Sequence, residues 1–267
     1  MVEPTTIGIS VVAAYLSKDG ISKLLGPTAD YLGEGLRAFA EKRAQNINSI
    51  FIVAQKKLKS GIELPGLVSP KVLNRIVNEG SYSSDKIAIE YLGGVLASSR
   101  TESGRDDRGA GFAQLVNTLS SFQLRTHYLI YSTLRTLFEN SDLSLNMHDR
   151  PKLRFTMPFG TFIEAMDFSE QEKEILEELL SHIFFGLVKE GLIGPIFQYG
   201  PKEELAKGGF PQANLDGIIV EPSVLGVQLY LWAFGLGNKT SASIFSTELE
   251  TSIEQIPISV RESLKLD

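Results

Sequence analysis

The densest group of chemistry-bearing side chains lies in the Gly-rich stretch GRDDRGAGF, residues 104–112. A glycine-flanked turn that opens a helix presents backbone N–H groups, and such turns hold anions. Here the turn follows a helical pattern rather than a strand, and it lacks the Lys-Ser/Thr pair of a P-loop. Asp106 and Asp107 are adjacent carboxylates, as a general acid–base pair would need. That chemistry requires one carboxyl with a raised pKa. Arg105 and Arg108 flank the pair and push both values down. With Glu102, the two aspartates make only a weak cation-binding set. The segment is therefore expected to be an exposed loop with internal Arg–Asp pairing that contacts a partner.

A second group is basic. Lys42-Arg43 and Lys56-Lys57-Lys59 mark a cationic face on one long helical pattern. Nucleic acid or an anionic lipid surface uses faces of this kind. The chain as a whole carries 26 Lys+Arg against 32 Asp+Glu, net −6, which counts against strong DNA binding. His127, His148 and His182 show neither HxH nor HxxxH spacing, so no metal site is expected. The absence of cysteine excludes a thiol nucleophile, a disulfide framework and Cys-ligated metals. Rossmann, HExxH and GxSxG patterns are missing. No catalytic, metal-ligating or cofactor-binding residue is assigned, and the chain is expected not to be an enzyme. The expected interaction residues are Lys42, Arg43, Lys56 and Lys57 on the helix and Arg105, Asp106, Asp107 and Arg108 in the loop.

These groups need positioning elements, and helical periodicity supplies most of them. Apolar residues at helical spacing predict a short helix over 6–17 and a long one from about Pro27 to Leu58. PKVLNRIVNEG predicts a helix from Pro70 to Gly80. Ser83 or Ser84 is expected to cap the next, which reaches Ser99 and carries Gly93-Gly94 as a close-packing or bending point. A crowded apolar stripe predicts one long helix from Phe112 to about Glu139, buried on more than one side. Residues 154–166 fit either a strand or irregular structure. Ser169 and Glu172 form a capping box for a helix to Glu190. Leu192–Tyr199 and Asp216–Glu221 predict a β-hairpin with a long polar tip, and Ser223 caps an apolar helix.

At 267 residues with 43% hydrophobic and 22% charged residues, the composition is globular. Charge is uneven: residues 1–60 are net +3 and residues 167–254 are net −9. Neither Ile7–Leu16 nor Val224–Gly237 reaches the ~20 residues of a membrane span. The N-terminus has no basic run before its apolar residues, so a cytoplasmic location is expected. The expected fold is mainly α: a helical N-terminal region, 1–110, packed on a winged-helix-like C-terminal region, 111–240, with one small β-hairpin. A peripheral tail, 241–267, follows. The helix that would read DNA in a winged helix begins EQEKEILEE, whose acids repel phosphates.

Three segments carry a family resemblance: LLGPTADYLGEGLRAFAEKRAQNI (24–47), PKVLNRIVNEGSYSSDKIAIEYLGGVLASS (70–99), and the terminal pattern LVKEGLIG with VEPSVLGVQLYLWAFG. Their order resembles the bacterial abortive infection protein alpha family. EYLGGVLASS stands where that family has a Trp-Ala-Asn-Leu-Leu type sequence, and EPSVLG replaces its Thr-containing turn, which marks a divergent branch. The resemblance implies anti-phage defence by binding or sensing and supplies no catalytic residue. The partner it implies is a phage-derived or host protein, with self-association compatible. Two alternatives remain at this level. One is a membrane-associated or lipid-binding effector that reaches an anionic membrane surface peripherally on activation. The other is a winged-helix DNA-binding regulator.

Overall fold

The computed structural model describes residues 34–64, 66–253, 256 and 262–266. The expected helix over 6–17 and the helix start near Pro27 lie outside the described residues. The fold is mainly α, with ten α-helices and two small sheets among the described residues. No helix among them is long and apolar enough to cross a membrane. The chain divides into two compact units. The first ends at Thr118 and also takes in Trp232–Leu236; the second holds Leu119–Leu231 and the chain from Gly237.

In the first unit, α1 (Glu34–Leu58) packs chiefly on α3 (Lys86–Ser98), while α2 (Pro70–Gly80) lies on α4 (Arg108–Thr118). Helix α2 has the expected bounds, with Pro70 in its first turn and Val72 and Ile76 buried. Its amphipathic spacing makes those bounds local property. Helix α3 is capped by Asp85, whose Oδ1 accepts from the Ile87 and Ala88 N–H groups at 2.9 and 3.4 Å. Neither Ser83 nor Ser84 fills that role. Gly93 and Gly94 allow two close approaches. A Cβ at 93 would lie 2.4 Å from Val53 Cγ1 of α1, and one at 94 would lie 1.7 Å from the Ala233 carbonyl oxygen. A two-stranded ladder, β1 (Leu67–Val68) with β2 (Arg100–Thr101), closes the loops. The Arg100 guanidinium ties it down by donating to the carbonyls of Gly61, at 2.9 Å, and Leu64.

The long helix expected from Phe112 to Glu139 is two helices, α4 and α5 (Ser121–Leu137). Ser120 ends the continuity: its Oγ accepts from the Gln123 N–H, and its own N–H donates to Gln123 Oε1 at 2.9 Å. This capping box starts a new helix more firmly than the apolar stripe continues the old one. Helix α5 is buried on several sides, as its crowding predicts. In the same way the 169–190 pattern splits at Ile175 into α7 (Glu170–Glu174) and α8 (Leu176–Lys189), with the Ser169/Glu172 box in place.

The undecided stretch 154–166 is strand β3 (Phe155–Pro158) followed by helix α6 (Phe159–Met166). Strands β4 (Ile193–Gly200) and β5 (Gly217–Pro222) form the expected hairpin, and its tip contains a short helix, α9 (Lys202–Lys207). The hairpin belongs to a four-stranded antiparallel sheet in the order β4-β5-β3-β6, where β6 is Leu264–Lys265. Residues beyond 240, expected to be peripheral, supply β6 and bury Ile244, Phe245, Ile253 and Leu266. Alternation separates the two faces of the sheet. Phe155, Met157, Ile218 and Val220 are fully buried on one. Ile219 and Leu266 join Leu205 and Phe210 in a small core on the other. Glu221 follows Ile219 on that second face. Helix α10 (Val224–Ala233) is apolar apart from Gln228, which is exposed, and Val227, Leu229 and Tyr230 are fully buried.

Candidate functional site

The interaction residues expected in the first unit have different surroundings. Lys42 and Lys56 are exposed on α1. Arg43 instead donates from Nε to Ser81 Oγ at 2.9 Å and lies 4.1 Å over the Tyr82 ring. Lys57 pairs with Glu90 at 3.0 Å and sits 4.6 Å from the Phe234 ring centre. Burial of this ammonium pushes its pKa below the ordinary lysine value, against the opposing pull of Glu90. In the 104–112 segment, Arg108 grips Asp106 through Nε at 3.0 Å and Nη2 at 2.6 Å. Those hydrogen bonds hold the Asp106 carboxyl below its usual range, the direction expected from its neighbours. Asp107 pairs with Lys71 of α2 at 2.8 Å, and Arg105 is exposed. Loop charges are thus largely matched inside the loop and its support.

The most enclosed ion-paired charge is elsewhere. Glu221, near the end of β5, has a side chain only 3% exposed and pairs with two arginines. Arg150 Nε donates to Oε1 at 2.9 Å. Arg154 donates to Oε2 from Nε at 2.8 Å, and its Nη2 is 2.6 Å from the same oxygen. Three elements place this trio. Arg150 opens a 3-10 turn, Arg150–Leu153, in which Pro151 sets the backbone. Arg154 enters β3, and its carbonyl accepts from the Leu266 N–H at 3.1 Å. Gly194 of β4 covers the carboxylate so closely that a Cβ there would lie 3.0 Å from Glu221 Oε1.

A neutral buried network adjoins the start of α10. Tyr131 Oη donates to the Leu192 carbonyl and accepts from the Ser223 N–H at 3.1 Å. Ser223 Oγ donates to the Gly191 carbonyl at 2.7 Å and accepts from the Gly226 N–H at 2.9 Å. Ser223 is therefore the expected cap. Any side chain at 226 would strike Tyr131, since a Cβ would lie 1.9 Å from its Oη. His127 Nε2 lies 3.1 Å from the Gly226 carbonyl. Complete burial pushes the imidazole down to about 3 and the Tyr131 phenol up to about 12. Both groups are neutral at pH 7.

No protein-family model, curated protein or solved structure matches this chain.

Among the described residues, no group of three His, Asp or Glu side chains is placed to hold a metal. His182 Nε2 lies 3.1 Å from Ser120 Oγ, whereas His127 Nε2 meets the Gly226 carbonyl. The Arg150–Glu221–Arg154 trio escaped the sequence reading. Two signals point to it: the basic run RPKLR, 150–154, and a lone carboxylate in the apolar strand GIIVEP. A charge in a buried strand requires a partner. Its distance in sequence, 71 and 67 residues from the two arginines, hides which one.

Proposed function

We propose that this chain is a bacterial anti-phage defence protein of the abortive-infection type, acting in the cytoplasm by binding or sensing rather than by catalysis. Its partner is a phage-derived or host protein. The supporting observation is how the two halves of the terminal pattern meet. LVKEGLIG and VEPSVLG lie about thirty residues apart, and Tyr131, Ser223 and Gly226 lock them together. The residues that carry the resemblance are thus packing and capping residues, as befits a binding scaffold. The helix and hairpin order α8-β4-β5 is compatible with a winged-helix-like arrangement. Glu170, Glu172, Glu177 and Glu178 at the start of α7 and α8 oppose nucleic-acid binding there.

Phage challenge of bacteria expressing the full chain, with its native neighbouring genes, tests the proposal. Protection at low multiplicity with culture collapse at high multiplicity is the expected result. A combined Lys42→Glu, Lys56→Glu, Arg105→Glu variant should fold and lose protection. Equal phage yield with and without the wild-type chain overturns the proposal.

A further inference from the structure

We propose that Arg150 and Arg154 form a binding site for a phosphate-type tetrahedral oxyanion, with Glu221 as the internal strut that aims them. The site rests on the contacts below and is independent of the defence proposal. Two other arginines each have one carboxylate of their own: Arg75 has Glu79 and Arg108 has Asp106. Here two guanidinium groups share a single carboxylate. One positive charge is left over at a half-enclosed position, because the arginine side chains are 34% and 24% exposed while Glu221 is 3% exposed. Two like charges drawn onto one carboxylate repel each other, and a second anion relieves that repulsion.

Donor geometry favours an oxyanion as that second anion. Glu221 takes Nε of Arg150, and Nε with Nη2 of Arg154. The Arg150 Nη1 and Nη2 groups and the Arg154 Nη1 group make no hydrogen bond within the described structure. The two guanidinium groups are anchored on opposite oxygens of one carboxylate, Arg150 on Oε1 and Arg154 on Oε2. Paired guanidinium forks match the several oxygens of a phosphate better than a point charge does. The backbone holds them in register: Arg150 N–H donates to the Asn146 carbonyl at 3.0 Å, and Arg154 is tied to Leu266. Among the described residues, neither arginine pairs with a second carboxylate. Asp149 is engaged by Lys152 at 3.0 Å and by Ser144 Oγ at 3.0 Å. Lys265, next along β6, is turned to the Phe138 ring at 4.8 Å. Side-chain ordering therefore costs little on binding, since Glu221 has already ordered both arginines.

The test is calorimetric titration of the full chain with inorganic phosphate at constant ionic strength set by chloride. Wild type should saturate. Arg150→Gln should bind at least tenfold more weakly, because Glu221 keeps Arg154 and the fold while the excess charge and one fork are lost. Arg150→Lys, which keeps the charge but not the fork, should fall between them. Lys189→Gln, which removes an 81% exposed ammonium that pairs with Glu190 rather than with Glu221, should bind as wild type does. Far-UV circular dichroism confirms folding, and Arg150→Lys carries the test if Arg150→Gln fails to fold. Parallel sedimentation with phosphatidic acid vesicles separates two sources of the same headgroup chemistry. Arginine-dependent vesicle binding assigns the phosphate to lipid, and saturation by inorganic phosphate alone assigns it to a soluble ligand; either supports the site. No saturation of the wild type by either probe, or equal affinity of wild type, Arg150→Gln and Arg150→Lys, overturns it.

Discussion

At the scale of single residues, burial decides what each ionisable group does. His127 illustrates the sign. Its imidazole is held down to about 3 in the folded chain, against an ordinary value of 6.5. Below pH 6.5 the unfolded chain therefore binds a proton that the folded chain refuses. The stabilisation is complete above pH 6.5 and is lost as pH falls toward 3. Between pH 6.5 and 5 about 1.6 kcal/mol of it should be lost. Urea midpoints of wild type and His127→Gln at these two pH values check this, and the variant should lack that increment. Neighbouring lysines on α1 should also behave differently. Lys57→Glu puts a carboxylate against Glu90 in a largely buried position, and should cost about 3 kcal/mol. Lys42→Glu, at an exposed position, should change stability by less than about 0.5 kcal/mol. Equal unfolding midpoints for the two variants would contradict the contrast.

Elements are set by caps and by glycine contacts. Two glycines in helices should respond oppositely to alanine. Gly94→Ala drives a methyl group to 1.7 Å from the Ala233 carbonyl oxygen, a backbone atom that cannot swing aside. Overpacking of this kind should cost about 3 kcal/mol or more. Gly111 lies in α4 with nothing within 4 Å of an added Cβ, so Gly111→Ala should stabilise by up to about 1 kcal/mol. Thermal melts of the pair read both signs at once. The start of α5 depends on the Ser120/Gln123 box, and Ser120→Ala should lower stability by about 1 kcal/mol. A melt unchanged from wild type would show that apolar burial alone sets that boundary.

On the scale of the whole molecule, chain order and unit membership do not coincide. Trp232–Leu236 belongs to the first unit although more than a hundred residues of the second precede it. The Trp232 ring stacks on Phe112 with centroids 4.7 Å apart and also receives Arg108, while its carbonyl accepts from Ser98 Oγ at 3.0 Å. A fragment ending at Thr118 lacks these contacts. It should melt at a lower temperature and less cooperatively than the full chain, as followed by circular dichroism. A cooperative fragment melt at the full-chain temperature would show that this returning segment is dispensable.

The sequence alone determined what one or two helical turns can encode. Helix α2, the Ser169 capping box, the Ser223 cap, the β4/β5 hairpin and the mainly α class follow from spacing, turn residues and side-chain oxygens that act within a few positions. Close packing at Gly93-Gly94 was legible for the same reason: paired glycines in an apolar helix leave room for a neighbour. Even the break at Ser120 was written locally, as Ser-x-x-Gln, beneath a stronger apolar stripe. Tertiary structure alone decided which distant groups meet. It gave the hairpin its partners β3 and β6, brought Trp232 back to Phe112, and set Glu221 between Arg150 and Arg154. Contacts across so many residues depend on which apolar faces close on one another, and local periodicity does not specify that closure.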